Sequence, residues 1–333
     1  MRKTVVLLAL LVSATGMLAA DGLPPLPHSP DLFVSGFFAA SIERYYGPRS
    51  SVTGPHAAPA ETAAVYSRNV VRRPWGLAFG PDGNLYVANV SGATPGLARV
   101  NGPFSASPGA WTALADGAFN DVAFGPDGNL YAAGHGAVRR YDVVTGAWID
   151  EFTTGYPLTD ARGIAFGPDG KLYVGNYDGC VTGPTGCTGT RGEVVRFDAL
   201  TGKFVDVYLP SGTGGLQWPW KVAFDPTGAL LVVNWTVSGN NNVLRFPASQ
   251  RSPSAPVFTG RGTRSAAFLT RDGWFPLYVA VGPDGQLYVS ASNSAGDAGD
   301  VLRFDGRTGA FIDVFVANVD GGPRGIAFAP GSH

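Results

Sequence analysis

One phrase recurs along this chain and limits what it can fold into. Gly80-Pro81-Asp82-Gly83-Asn84-Leu85-Tyr86-Val87 returns at 125–132, 167–174 and 282–289, and in altered form at 225–232. A short apolar piece precedes it, as Gly76-Leu77-Ala78-Phe79, Gly163-Ile164-Ala165-Phe166 and, near the end of the chain, Gly325-Ile326-Ala327-Phe328. Such periodicity marks a chain built from copies of one supersecondary unit.

The third unit shows the parts: Gly163–Phe166, Lys171–Val174, Glu193–Phe197 and Lys203–Tyr208 are short apolar runs divided by turn residues. Gly-Pro-Asp-Gly joins the first two, where Pro fixes φ and Gly accepts a positive φ. Asp198-Ala199-Leu200-Thr201-Gly202 joins the last two, and its pattern returns at 142–146 and 305–309. The runs favour β-branched and aromatic residues, and no segment carries a helical period. Four antiparallel strands in each repeat of about 40–50 residues is the pattern of a propeller blade.

Leu77, Val122, Ile164, Val222, Val279 and Ile326 begin equivalent inner strands, which makes six units, the last with only its first strand. The missing strands stand near the other end. Asp31–Ser35 matches a second strand, Ser41–Tyr45 a third, and Ala64–Ser67 can serve as the outer one. The two ends together complete one blade and close the ring without a free edge. The expected fold is all-β: a six-bladed β-propeller with four antiparallel strands per blade, its N-terminal strands completing the blade begun by the C-terminal strand. It forms one domain over 31–333, behind a Pro-rich leader at 21–30.

With this repeat and this closure, the chain resembles the six-bladed propellers of the NHL-repeat, senescence-marker/gluconolactonase and virginiamycin-lyase type, over roughly residues 31–331. The resemblance implies the fold. It leaves the activity open, because this architecture carries hydrolases, lyases, isomerases and pure binding modules.

Residues 1–20 read as a secretory signal: Met1-Arg2-Lys3, an apolar run from Val5 to Val12, then Leu18-Ala19-Ala20 before a cut after Ala20. The apolar run is shorter than the ~20 residues of a membrane span. The mature chain is therefore expected to be secreted or periplasmic, with no membrane span. Cys180 and Cys187 flank a Gly/Thr/Pro loop, and a disulfide between them suits an oxidising compartment. A net charge of −1 with 15% charged residues argues against nucleic acid as a partner.

Strand order separates two faces. One carries the short repeated turns; the other carries the irregular segments 89–96, 176–192, 235–242, 290–299 and 247–276, and function is expected there, at the mouth of the channel. Five residues before each turn lie Trp75, Asn120, Arg162, Trp220, Leu277 and Arg324. In gluconolactonase-like proteins the resemblance places metal-binding carboxylates and an Asn at this ring. Here only Asn120 fits, with its neighbour Asp121, and two arginines would repel a divalent cation.

The ring suits a small anionic or carbohydrate ligand held by Trp75, Asn120, Arg162, Trp220 and Arg324, with no cofactor. The alternative is a lactonase- or lyase-type enzyme using Ca²⁺ or another divalent cation on Asn120, with His135 and Asp121 as catalytic groups. A third reading is a propeller face that contacts a protein.

Other residues read as structural. Trp218, Trp220 and Trp235 are read as packing between blades or as a ligand platform. Asn89, Asn176 and Asn234 recur after the second strand and are expected to satisfy turn backbone. Arg44, Arg99, Arg140, Arg196, Arg245 and Arg303 hold one strand position in all six units, pairing with residues such as Asp142, Asp198 or Asp305. Asp178, Glu193, Asp297 and Asp300 are acidic loop residues without the spacing of a calcium loop. The chain carries no nucleophile elbow, phosphate loop, zinc-protease helix or dinucleotide fingerprint.

Overall fold

The structure is a computed structural model. It describes residues 30–45, 47–48, 65–90, 96–134, 136–183, 186–237, 239, 241–248, 258–259, 274–293 and 295–330, with side chains described outside 179–191 and 258–259. Three strands come first: β1 (Leu32–Gly36), β2 (Ser41–Tyr45) and β3 (Val65–Arg68). Blade I is β4 (Pro74–Phe79), β5 (Leu85–Asn89), β6 (Leu97–Val100) and β7 (Trp111–Ala115). Blade II is β8 (Phe119–Phe124), β9 (Leu130–Gly134), β10 (Ala137–Tyr141) and β11 (Trp148–Glu151). Blade III is β12 (Ala161–Phe166), β13 (Lys171–Gly183), β14 (Gly186–Asp198) and β15 (Phe204–Leu209). Blade IV is β16 (Trp218–Phe224), β17 (Leu230–Trp235), β18 (Asn242–Phe246) and β19 (Phe258–Thr259). Blade V is β20 (Phe275–Val281), β21 (Leu287–Ser292), β22 (Ala298–Phe304) and β23 (Phe311–Asp320), and β24 (Pro323–Phe328) follows.

Each blade is a four-stranded antiparallel sheet in chain order. The exception is the sixth, which runs β24-β1-β2-β3, so both ends of the chain share blade VI. Inner strands touch in the order β4, β8, β12, β16, β20, β24 and back to β4. The expected architecture and closure are observed.

The repeated phrase does two jobs. Its Tyr meets the inner-strand Phe of the next blade edge to face: Tyr86 on Phe124 at 5.1 Å, Tyr131 on Phe166 at 5.0 Å, Tyr173 on Phe224 at 4.9 Å and Tyr288 on Phe328 at 4.8 Å. Phe33 meets Phe79 in the same way at 5.1 Å, which seals the closing seam. Such edge-on pairs add about 0.5–1.5 kcal/mol each beyond the area they bury. The Asp of the phrase accepts the hydroxyl of that Tyr four residues on, at 3.0 Å for Asp127–Tyr131 and Asp169–Tyr173.

The regular arginines close the same clamp, with partners other than those expected. Arg140 holds Asp150 and Asp127, Arg196 holds Asp206 and Asp169, and Arg303 holds Asp313 at 2.5 Å. Arg44 and Arg245 pair with Asp31 and Asp225. The reason is register: Arg140 lies opposite Asp150, Arg196 opposite Asp206 and Arg303 opposite Asp313 on adjacent strands. Asp142, Asp198 and Asp305 instead accept the backbone N–H and hydroxyl of Thr145, Thr201 and Thr308, closing their own turns.

Segment 176–192 also differs from expectation. It continues β13 and β14 as one long hairpin paired out to Gly183 and Gly186. In that ladder Cys180 faces Thr190 and Cys187 faces Thr182. The cysteine side chains lie outside the described residues, as do the signal segment 1–20 and the leader from 21 to 29.

Candidate functional site

All six inner strands break register with their neighbour at one place: between Pro74 and Leu77, Phe119 and Asp121, Ala161 and Ile164, Pro219 and Lys221, Pro276 and Tyr278, and opposite Val34 and Gly36. A bulge re-aims the side chain it carries. The residues in these bulges include the ring read from the sequence.

The bulges bring Trp75, Asn120, Arg162, Trp220 and Arg324 into one layer. Trp75 of blade I and Trp220 of blade IV stack across the ring at 5.1 Å with planes 20° apart. Arg162 lies over Trp220 at 4.2 Å, and Arg324 lies over Trp75 at 5.3 Å and over Phe37 at 4.6 Å. The result is a continuous stack of cation, ring, ring, cation, ring. Trp75 is only 7% exposed, so its faces are spent on protein; Trp220 is half-buried and keeps a free margin. Leu277 is buried against the Trp75–Phe37 cluster.

The two cations differ. Arg162 pairs with Asp160 at 2.6 Å, and burial still lowers its pKa. Asp160 also accepts from Asn120 Nδ2 at 3.0 Å, and the same amide donates to the Ala161 carbonyl at 2.9 Å, so Asn120 is locked to blade III. Arg324 is 6% exposed and has no carboxylate partner among the described residues; its Nη1 donates to the Pro323 carbonyl at 3.1 Å. Its Nε has no hydrogen-bond partner. Burial alone pushes its pKa down to about 10, which leaves it charged at neutral pH.

Beside the stack, Arg162, Tyr177, Trp218, Pro219 and Trp220 line a pocket of about 170 Å³ at the seam of blades III and IV. Tyr177 and Trp218 meet edge to face at 5.5 Å. Asn234 Oδ1 accepts the backbone N–H groups of Gln217 and Trp218 and so fixes this strand start, while Asn176 does the same for Thr159 and Asp160. Asn89 accepts from Arg73, as expected of these asparagines. Trp235 donates to the Pro276 carbonyl at 2.8 Å and packs between blades IV and V.

One residue deeper, the strands present Gly76, Asp121, Gly163, Lys221, Tyr278 and Gly325. Asp121 accepts from Lys221 at 2.5 Å, from Tyr278 at 2.9 Å and from the Ile164 backbone at 3.0 Å. Lys221 reaches the Ile164 carbonyl at 3.3 Å and lies over the Tyr278 ring at 4.5 Å. Blades II, III, IV and V are thus tied through one buried carboxylate, and burial beside Asp121 raises the Tyr278 pKa well above its ordinary value. The glycines let the strands converge: a Cβ on Gly163 would stand 2.4 Å from Lys221 Cα, and one on Gly325 2.0 Å from the Trp75 carbonyl.

Asp121, expected as a catalytic candidate, is 1% exposed and fully engaged. It is a channel strut, since a general base needs reach to a substrate proton. His135 lies outside the described residues. The acidic loop residues stand apart: Asp178 takes Thr159, Glu193 takes Tyr156 and Asn176, Asp297 takes Asn293, and Asp300 takes the Asn318 backbone. The sequence reading does not single out Phe37, Asp160 and Tyr177, which lie outside the repeated phrase, or Lys221 and Tyr278, which stand where other blades hold the Gly of the apolar piece.

Comparison with models of known families gives no match, and neither does comparison with curated proteins by sequence. Solved structures do match. A protein of unknown function from Bacteroides caccae superposes with a TM-score of 0.57 at 14% identity, covering 91% of this chain and 99% of its own. A gluconolactonase of Xanthomonas campestris gives 0.52 at 16%, covering 88% and 86%. The calcium-binding protein regucalcin of Agrobacterium tumefaciens gives 0.52 at 18%, covering 78% of each chain. At these identities the likeness establishes the six-bladed fold.

The residues at the mouth do not fit a divalent cation. Among the described residues no three carboxylate, imidazole or thiol groups converge. The two carboxylates that reach the ring residues and the layer below them are occupied, Asp160 by Arg162 and Asn120, and Asp121 by Lys221 and Tyr278. A hard cation set among them would meet two guanidinium groups and an ammonium where it needs oxygen donors.

Proposed function

We propose that the protein is an exported binding module that takes a small anionic ligand over the channel mouth. The observation that carries this reading is Arg324: a buried cation with no carboxylate partner among the described residues. A buried charge is costly until it is paired, so an incoming oxyanion gains what the folded chain does not supply. Arg162, Trp220 and the adjoining 170 Å³ pocket offer a second donor and apolar faces for the body of the ligand. That volume falls below the ~300–1,000 Å³ of drug-sized sites, which favours a single ring or short acid.

The lactonase or lyase reading draws support from the fold alone. The N-terminal segment supports export, and a disulfide between Cys180 and Cys187 would suit an oxidising compartment. Edman sequencing of the mature protein checks the first, with Asp21 expected as the first residue, and thiol counting checks the second.

Calorimetric titration with glucuronate, citrate and inorganic phosphate tests the binding reading. At least one is expected to bind one-to-one and to lose tenfold or more in affinity in Arg324→Met. No binding by any of the three, or equal binding by the variant, overturns it.

A further inference from the structure

The face of short repeated turns reads from the sequence as pure scaffold, yet the channel opens on it. The Trp75–Trp220 stack and the Asp121–Lys221–Tyr278 cluster close the channel from the loop side. Below them, all six blades place an alanine at one register: Ala78, Ala123, Ala165, Ala223, Ala280 and Ala327. The next position is Phe79, Phe124, Phe166, Phe224, Val281 and Phe328, all half-buried on the way out. Methyl groups at every blade keep this half of the channel wide, and a cavity of about 340 Å³ results. Ala123, Ala165, Ala223 and Ala280 wall it, Phe166 and Phe224 stand towards the turns, and Lys221 and Tyr278 form its inner end. The volume lies within the ~300–1,000 Å³ range of small-molecule sites.

The inner end has a definite polarity. Lys221 and Tyr278 line the cavity, whereas Asp121, which accepts from both, does not. Tyr278 spends its one hydroxyl proton on Asp121, and Lys221 gives two of its three N–H to Asp121 and the Ile164 carbonyl, so the donor left at the end of this apolar channel is the remaining N–H of the Lys221 ammonium. Burial keeps the phenol protonated. A ligand that matches has an apolar body and an acceptor, best anionic, at its leading tip.

We infer that this well is a second binding site, for a small apolar monocarboxylate that enters from the turn face head first towards Lys221. The site is separate from the mouth and does not depend on what binds there.

Methyl NMR of the full chain labelled at alanine tests this with hexanoate, hexanol and hexylammonium as probes. Hexanoate is expected to shift the methyl signals of Ala123, Ala165, Ala223 and Ala280 saturably, with hexanol at least tenfold weaker and hexylammonium without effect. Ala165→Leu and Ala223→Leu fill the tube and are expected to weaken hexanoate binding tenfold or more. The unmodified chain decides the matter if either variant folds poorly. No saturable shift at these methyls overturns the site. Equal affinity for hexanol and hexanoate overturns the assignment to an acid.

Discussion

Arginine occupies two settings in this molecule. At the blade rims, Arg140, Arg196 and Arg303 each meet a carboxylate across the strand pair and donate through Nε and Nη2 together. At the mouth, Arg162 shares Asp160 with Asn120, and Arg324 has aromatic faces and one carbonyl. These three rim arginines arrive with their partners, so their bonds are complete within the fold, whereas Arg99 of blade I lies opposite Thr112 and leaves its Nε without a partner. The mouth arginines occupy a ring of two Trp, two Arg, an Asn and a Leu that follows no repeat, and one of them is left short of a counter-charge. Where the repeat is kept, the chemistry closes on itself; where it is abandoned, donors are left over for something else.

Making a partnered charge an orphan should hurt most. Asp121→Ala strands Lys221 inside the channel and is expected to cost about 3–5 kcal/mol, read as a lower denaturant midpoint. A loss below about 1 kcal/mol would mean that the buried cluster does not brace the ring.

Glu43 on β2 offers the converse. It is 2% exposed, it accepts a hydrogen bond from Tyr45, and its Oε1 has no partner. Burial, with Asp320 nearby, outweighs the Tyr45 hydrogen bond and the Arg68 charge and raises its pKa to about 7. The folded state then holds a proton that the unfolded state releases between about pH 4.5 and 7, so stability falls as pH rises through that window. Glu43→Gln should remove the slope and be the more stable by about 3 kcal/mol at pH 8, with parity near pH 4.5. Parallel stability–pH curves for the two proteins would refute this.

Arg303→Gln should cost about 1.5–3 kcal/mol, the worth of hydrogen bonds to a buried charge, and leave ligand affinity at the mouth untouched. Arg324→Met should do the reverse. Stability is expected to hold or rise by about 1 kcal/mol, since an uncompensated buried cation has gone, while affinity falls tenfold or more. Chemical denaturation and titration of both variants separate the two settings. A destabilised Arg324→Met would show that this arginine belongs with the rim.

The fold was legible because each element of the repeat has a local or next-blade partner. Asp and Tyr four apart bind each other, and Tyr meets the Phe that opens the following blade. The position of the six ring residues was legible too, since the offset from a repeated turn fixes which positions fall in the bulges. Two matters were hidden. Which aspartate an arginine takes depends on strand register, and that moved the partner of Arg140 from Asp142 to Asp150. The channel cluster joins residues 100 and 157 positions apart, in blades whose equivalent positions hold glycine elsewhere. No local pattern announces such a contact. The sequence left Trp220 between packing and a ligand platform; its stacking on Trp75 across the ring appears only once the ring is closed.

That closure has a consequence for how the molecule assembles. Ser35 and Gly325 bond across 290 residues, and β1 can pair with β24 only after every intervening blade has been made. Bringing such distant points together from an open chain would cost roughly 5 kcal/mol by logarithmic loop scaling. Blades that stack one on the next curl the chain towards itself, so that cost is met in small steps as each Tyr finds its Phe. On this route the three strands of blade VI emerge first and are finished last. During that interval their paired-strand edge stands open, and a nascent chain needs protection there above all other places.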